Sequence, residues 1–78
     1  MSARQMREFY AKLDGGDVVG ALLVAPFSYR SWLRDERYFF TIEDGPLAGV
    51  GGVAPTLDEA VRIATADRAL VLQTGERV

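Results

Sequence analysis

Gly49, Gly51 and Ala54 stand in the G-x-G-x-x-G/A spacing that lets a turn approach a pyrophosphate, and a helical periodicity follows from Thr56 to Ala64. A dinucleotide turn delivers its last glycine to the start of the helix, where free N–H groups and the helix dipole meet the phosphate. Here Val53, Ala54, Pro55 and Thr56 separate Gly52 from the helix. Thr56, with Glu59 three residues on, forms a capping box that occupies those donors. The stretch is therefore expected to be a glycine-rich strand followed by an independently capped helix, with no cofactor.

Little else in the chain has the means for catalysis. Its 78 residues include no cysteine and no histidine, which removes thiolate metal sites, disulfides and the commonest general base and metal ligand together. Without a Ser–His or Cys–His pairing, no nucleophile is activated. Glu43 and Asp44 flank a turn, and Asp58 and Glu59 occupy the first turn of a helix, where negative charge favours the N-terminus. A two-carboxylate hydrolase needs its acids across a cleft, and a domain of this size offers little cleft. The expected reading is neither an enzyme nor a metalloprotein.

The stretch FSYRSWLRDER carries a different chemistry. Tyr29, Arg30, Trp32, Arg34 and Arg37 are the residue types that dominate binding hot spots, being large, rigid and able to hydrogen-bond when desolvated. The opposing reading buries Phe27, Trp32 and Leu33 as core and leaves the arginines solvated. Aromatics with arginine also suit single-stranded nucleic acid. Asp35 and Glu36, however, hold residues 27–38 to a net +1.

Net charge over the whole chain is −2, with +1 on residues 1–39 and −3 on residues 40–78. A nucleic-acid binder normally shows the opposite sign, so direct nucleic-acid binding is not expected. An apolar share of 49% and a charged share of 26% describe one small globular domain. The longest apolar run, Val18 to Ala25, is too short to span a bilayer and lacks a basic leader, since Asp14 and Asp17 precede it. No membrane association and a cytoplasmic location are expected.

The elements that must position these side chains follow from the pattern. Met6, Phe9, Tyr10 and Leu13 line one face of a helix over Ser2–Leu13, capped by Ser2 with Gln5 and ended at Gly15, with Glu8 and Lys12 paired on its outer side. Asp17–Ala25, apolar and bounded by Gly16 and Pro26, reads as a strand covered on both faces. Pro26–Glu36 is a connection. Arg37–Glu43 is a strand with Tyr38, Phe40 and Ile42 on one face. Asp44-Gly45 signals a tight hairpin, returning along Leu47–Val53. A second helix follows, with Leu57, Ala60, Val61 and Ala64 as its apolar stripe and Asp58–Arg62 paired outside it; Ala69–Gln73 closes as a strand. The order α-β-β-β-α-β predicts an α+β domain with helices on one face of an antiparallel sheet of three to four strands. The glycine-rich edge at 47–53 exposes backbone with few side chains in the way, which would suit a homodimer or another docking strand.

Two resemblances add to this. YFFTIEDGPLAGVGGVAPTLDEAVRIATADRAL, residues 38–70, resembles the core of HicB-type antitoxin domains, a strand, a turn, a second strand and a Thr-x-x-Glu-Ala helix start matched by Thr56, Glu59 and Ala60. That resemblance implies neutralisation of a small ribonuclease toxin and covers less than half of the chain. As a whole, the acidic single domain is similar to the small anti-CRISPR proteins of phages and prophages, above all in its ending from Val50 to Gln73. This second resemblance implies a phage inhibitor that binds a type I CRISPR effector complex, with I-C the first choice of subtype, and blocks target-DNA binding. Glu43, Asp44, Asp58, Glu59 and Asp67 would then compete with DNA phosphates for a basic channel. A self-associating assembly protein is the third expectation.

Overall fold

A computed structural model describes residues 3–68, 70 and 71. The chain runs through α1 (Ala3–Asp14), α2 (Val18–Leu23), β1 (Tyr29–Arg34), β2 (Arg37–Ile42), a 3-10 turn (Gly45–Leu47), β3 (Gly51–Ala54) and α3 (Leu57–Ala64). The strands form one antiparallel sheet in the order β1-β2-β3. This is the expected α+β class, with three antiparallel strands where three to four were expected and three helices where two were, built in part from other segments than the sequence suggested.

α1 buries Met6, Phe9, Tyr10 and Leu13, as its periodicity requires. Its expected cap partner Ser2 lies outside the described residues; Gln5 instead donates from Nε2 to the Ala25 carbonyl at 3.4 Å. Glu8 pairs with Arg4, one turn earlier, at 3.4 Å rather than with Lys12. Exposed i,i+4 pairs of this kind are nearly equivalent in energy, so the choice between them is a small effect.

Val18–Leu23 is a helix, not the expected strand. Asp17 caps its first turn, its Oδ1 accepting the Gly20 N–H at 2.9 Å. A short apolar run fits either conformation, and the choice falls to packing. α2 lies against α1 and buries Ala21, while Val19 and Leu23 remain 66% and 80% exposed.

Tyr29–Arg34, expected as a connection, is instead the edge strand β1. It pairs with β2 from Tyr29↔Ile42 to Arg34↔Arg37 through a two-residue turn, Asp35-Glu36, with φ of +51° and +62°. Positive φ at both central positions is the geometry of a type I′ hairpin, normally signalled by Asn-Gly or Asp-Gly. Asp-Glu meets it at some backbone strain. The Asp44-Gly45 pair, by contrast, does not make a tight hairpin. Gly45 has φ +72° and opens the 3-10 turn, and the chain returns only after Ile42 and Val50 have bonded across the connection (Ile42 N–H to Val50 O, 2.9 Å). Pro46 has no N–H for a ladder, and burial of Leu47 to 3% exposure draws the turn into the core. The returning strand is therefore Gly51–Ala54 rather than 47–53.

α3 is capped as expected, with Thr56 Oγ1 accepting the Glu59 N–H at 3.2 Å. It crosses β3 at Gly52, where a Cβ would collide with the Ala60 carbonyl oxygen and stand 3.0 Å from Ile63 Cβ. Glycine there serves close helix–strand approach. Beyond α3 the expected strand Ala69–Gln73 is not formed at Leu70 and Val71. Arg68, Leu70 and Val71 are helical, and Asp67 Oδ1 accepts the Leu70 N–H at 3.3 Å. Ala69, Leu72 and Gln73 lie outside the described residues.

The core lies between the helices and the inner sheet face. Phe27 sits among Phe9 and Phe40 with edge-on ring contacts at 5.5 and 6.3 Å, and Tyr29 stacks on Phe40 at 5.3 Å.

Candidate interaction surface

The register sorts the sheet into two faces. Tyr29, Tyr38, Phe40, Ile42, Gly52 and Ala54 face the helices, whereas Arg30, Trp32, Arg34, Arg37, Phe39, Thr41, Gly51 and Val53 share the other face. Across the centre of that open face runs the row Trp32↔Phe39↔Val53. The rings of Trp32 and Phe39 are nearly parallel (8°) with centroids 5.2 Å apart. The Arg30 guanidinium carbon lies 4.7 Å from the Trp32 ring centroid. Val53 is 44% exposed.

The charges on this face are loosely held. Arg30 meets Glu43 at 3.8 Å and Arg34 meets Asp35 at 3.6 Å, both between exposed side chains, and Arg37 makes no ion pair among the described residues. Exposed pairs at such distances contribute about 0–1 kcal/mol, so a partner could take over these guanidinium groups at small cost.

A second arginine–aromatic cluster lies between the end of α1 and the segment after α3. There a cavity of about 210 Å³ is lined by Tyr10, Leu13, Asp14, Arg62, Thr65, Ala66 and Arg68. Arg62 is bound to Asp58 at 2.9 Å and donates to the Leu13 carbonyl at 2.6 Å, an acceptor it shares with the Gly16 N–H at the end of α1. The Asp58 hydrogen bond raises the Arg62 pKa above its usual value. Arg68 bonds Asp14 at 2.5 Å and lies 4.2 Å from the centroid of the Tyr10 ring. The Tyr10 hydroxyl donates to the Thr65 carbonyl at 3.1 Å. Burial pushes the Tyr10 pKa up to about 12; Arg68 opposes the shift, and Asp67 and Asp14 add to it. These bonds tie the Tyr10 hydroxyl and the Arg62 and Arg68 guanidinium groups to partners within the chain, which makes the cluster a clasp holding α1 to the segment just after α3.

The residues singled out by sequence divide accordingly. Arg30, Trp32, Arg34 and Arg37 come together on the open face, with Glu43 beside Arg30. Tyr29 is turned inward against Phe40. Of the alternatives for this stretch, only Phe27 is core: Leu33 is 59% exposed, and Trp32 is half-buried on the outer face. The acids do not form one surface. Asp44 accepts the Ser28 N–H at 3.1 Å, Asp58 holds Arg62, Asp67 caps the turn after α3, and Glu59 lies exposed in the first turn of α3. Phe39 and Val53 belong to the face and were not singled out; only the cross-strand register places them beside Trp32. Gly49, with φ +91°, lies in the turn before β3, so the glycines do not open α3. Among the described residues no group of three or more acidic side chains is placed to hold a metal ion, and no helix is long and apolar enough to cross a membrane.

Compared with known proteins, the chain matches no family model, no curated protein and no solved structure.

Proposed function

We propose that this chain is a non-enzymatic interaction module that docks on a larger protein through the open face of its sheet. The observation that carries this reading is the Arg30–Trp32–Phe39 stack with Val53 beside it. There Trp32 and Phe39 are half-buried and the arginines exposed, while the arginines of the comparable cluster at Tyr10 are hydrogen-bonded to partners within the chain. Stacked, rigid side chains lose little entropy on binding and make effective anchors.

The resemblance to small phage inhibitors gives the module its proposed setting, the bacterial cytoplasm, and its proposed partner, a type I CRISPR effector complex whose target-DNA binding it blocks. Excess protein should abolish target-DNA binding by the purified effector, and Trp32→Ala should relieve that inhibition by tenfold or more, about 1.4 kcal/mol. Unchanged DNA binding in the presence of excess protein would sink the inhibitor reading. The HicB-like alternative is supported by the succession β2, turn, β3 and Thr56-capped α3. Its test is growth rescue on co-expression with a neighbouring toxin gene.

A further inference from the structure

Among the described residues β1 forms one margin of the sheet with no strand beside it, and its chemistry is selective. The bond from the Glu43 N–H to the Ser28 carbonyl (2.8 Å) sets the phase of the β1–β2 ladder. Main-chain groups of Arg30, Trp32 and Arg34 then point toward β2, and those of Tyr29, Ser31 and Leu33 point to the outer edge. Ser31 and Leu33 are exposed, and no other described element bonds to their main chain. β3, the opposite margin, has four residues to the six of β1 and ends at Pro55.

A strand added beside β1 would place every second side chain on the open face, next to Arg30, Trp32 and Arg34 in turn. Isolated arginines on an edge strand ordinarily repel chance pairing. Here they also define what they accept, because opposite charges across a strand pair attract and like charges repel.

We propose that the β1 edge binds an extended segment of a partner protein with an acidic residue, an apolar residue and an acidic residue at alternate positions. The two carboxylates meet Arg30 and Arg34, and the apolar side chain lies against Trp32. This rests on the docking reading given above and narrows it to one edge and one chemistry. A second copy of this chain does not supply the segment, since nowhere in its 78 residues do two acidic residues stand four apart.

Trp32 is the only tryptophan, so its emission reports the site directly. The probes are a capped Thr-Glu-Thr-Val-Thr-Glu-Thr peptide, the same peptide with lysine for glutamate, oligo(dT) and oligo(U). The glutamate peptide should shift the Trp32 emission saturably and the lysine peptide should not. Arg30→Glu with Arg34→Glu should weaken binding about tenfold or more. Ser31→Pro removes an outward N–H while leaving the open-face side chains in place, and should abolish peptide binding in a protein whose circular dichroism is unchanged. Should Ser31→Pro unfold the chain, N-methylation of alternate peptide bonds in the glutamate probe tests the same main-chain pairing. Equal response to both peptides, or to neither, overturns the proposal. Saturable binding of an oligonucleotide alone assigns the face to single-stranded nucleic acid and overturns it too, as does self-association that Ser31→Pro removes. If peptide binding fails while Trp32→Ala still relieves inhibition of the effector complex, only the edge proposal falls. If Trp32→Ala has no effect on the effector complex, it is the docking reading that falls.

Discussion

The molecule contains two arginine–aromatic clusters made from the same ingredients and wired in opposite ways. At the clasp, Arg68 covers Tyr10 and is held by Asp14 at 2.5 Å, while Arg62 reaches both Asp58 and the Leu13 carbonyl. On the open face, Arg30 covers Trp32 but its carboxylate stands 3.8 Å away, and Arg37 has no ion pair among the described residues. The clasp joins elements distant in the chain, with Tyr10 bonded to Thr65, so its interactions are part of folding. The open-face cluster joins neighbours on one hairpin and closes nothing. A cation over an aromatic ring is therefore not by itself a sign of function; what matters is whether its remaining hydrogen-bonding capacity is already used.

Matched truncations give the largest test of this contrast. Tyr10→Ala should cost about 3–4 kcal/mol in urea unfolding, because a buried ring and its hydroxyl bond are both lost. Trp32→Ala should cost about 1 kcal/mol, the scale of a partly solvated aromatic pair. Equal losses would break the comparison.

The second test is alkaline pH. The Tyr10 pKa is about 12 when folded against 10.0 for the free side chain. Above pH 10 the unfolded chain ionises this tyrosine first, so the stability it contributes is complete below pH 10 and is lost as pH rises toward 12. Tyr10→Phe should flatten that part of the stability–pH curve, whereas Trp32→Ala should leave its shape intact.

A smaller effect is expected at the hairpin tip. Asp35→Asn with Glu36→Gly should raise stability by about 1 kcal/mol, since both positions have positive φ. Smallest of all, Arg37→Ala should change thermal stability by no more than about 0.5 kcal/mol, the range for an unpaired surface side chain. A large loss there would mean that the open face is held together after all.

Some of this architecture was legible because it is local. The apolar stripe of α1, the Thr56 cap of α3 and the alternation of Tyr38, Phe40 and Ile42 depend on residues within about one turn or two strand positions. Gly52 was legible as part of a glycine-rich strand, though not as the point where α3 crosses at Ala60. The candidate surface was half legible: Arg30, Trp32, Arg34 and Arg37 stood out by residue type. Phe39 and Val53 did not, because their place beside Trp32 is a matter of strand pairing. β1 was missed because Asp35-Glu36 is an unusual pair for a type I′ turn, and Asp44-Gly45 drew attention as the better signal.

The sequence by itself determined the amphipathic helix α1, the Thr56-capped helix α3, the central strand and a residue set without cysteine or histidine chemistry. Each follows from interactions between near neighbours or from composition alone. Tertiary structure decided that Val18–Leu23 coils rather than extends, that Leu47 pulls its turn into the core, and that Tyr29 faces inward while Trp32 faces out. Those choices are set by which surfaces the other elements leave to be covered. Short apolar runs satisfy more than one backbone, and only the assembled core selects between them.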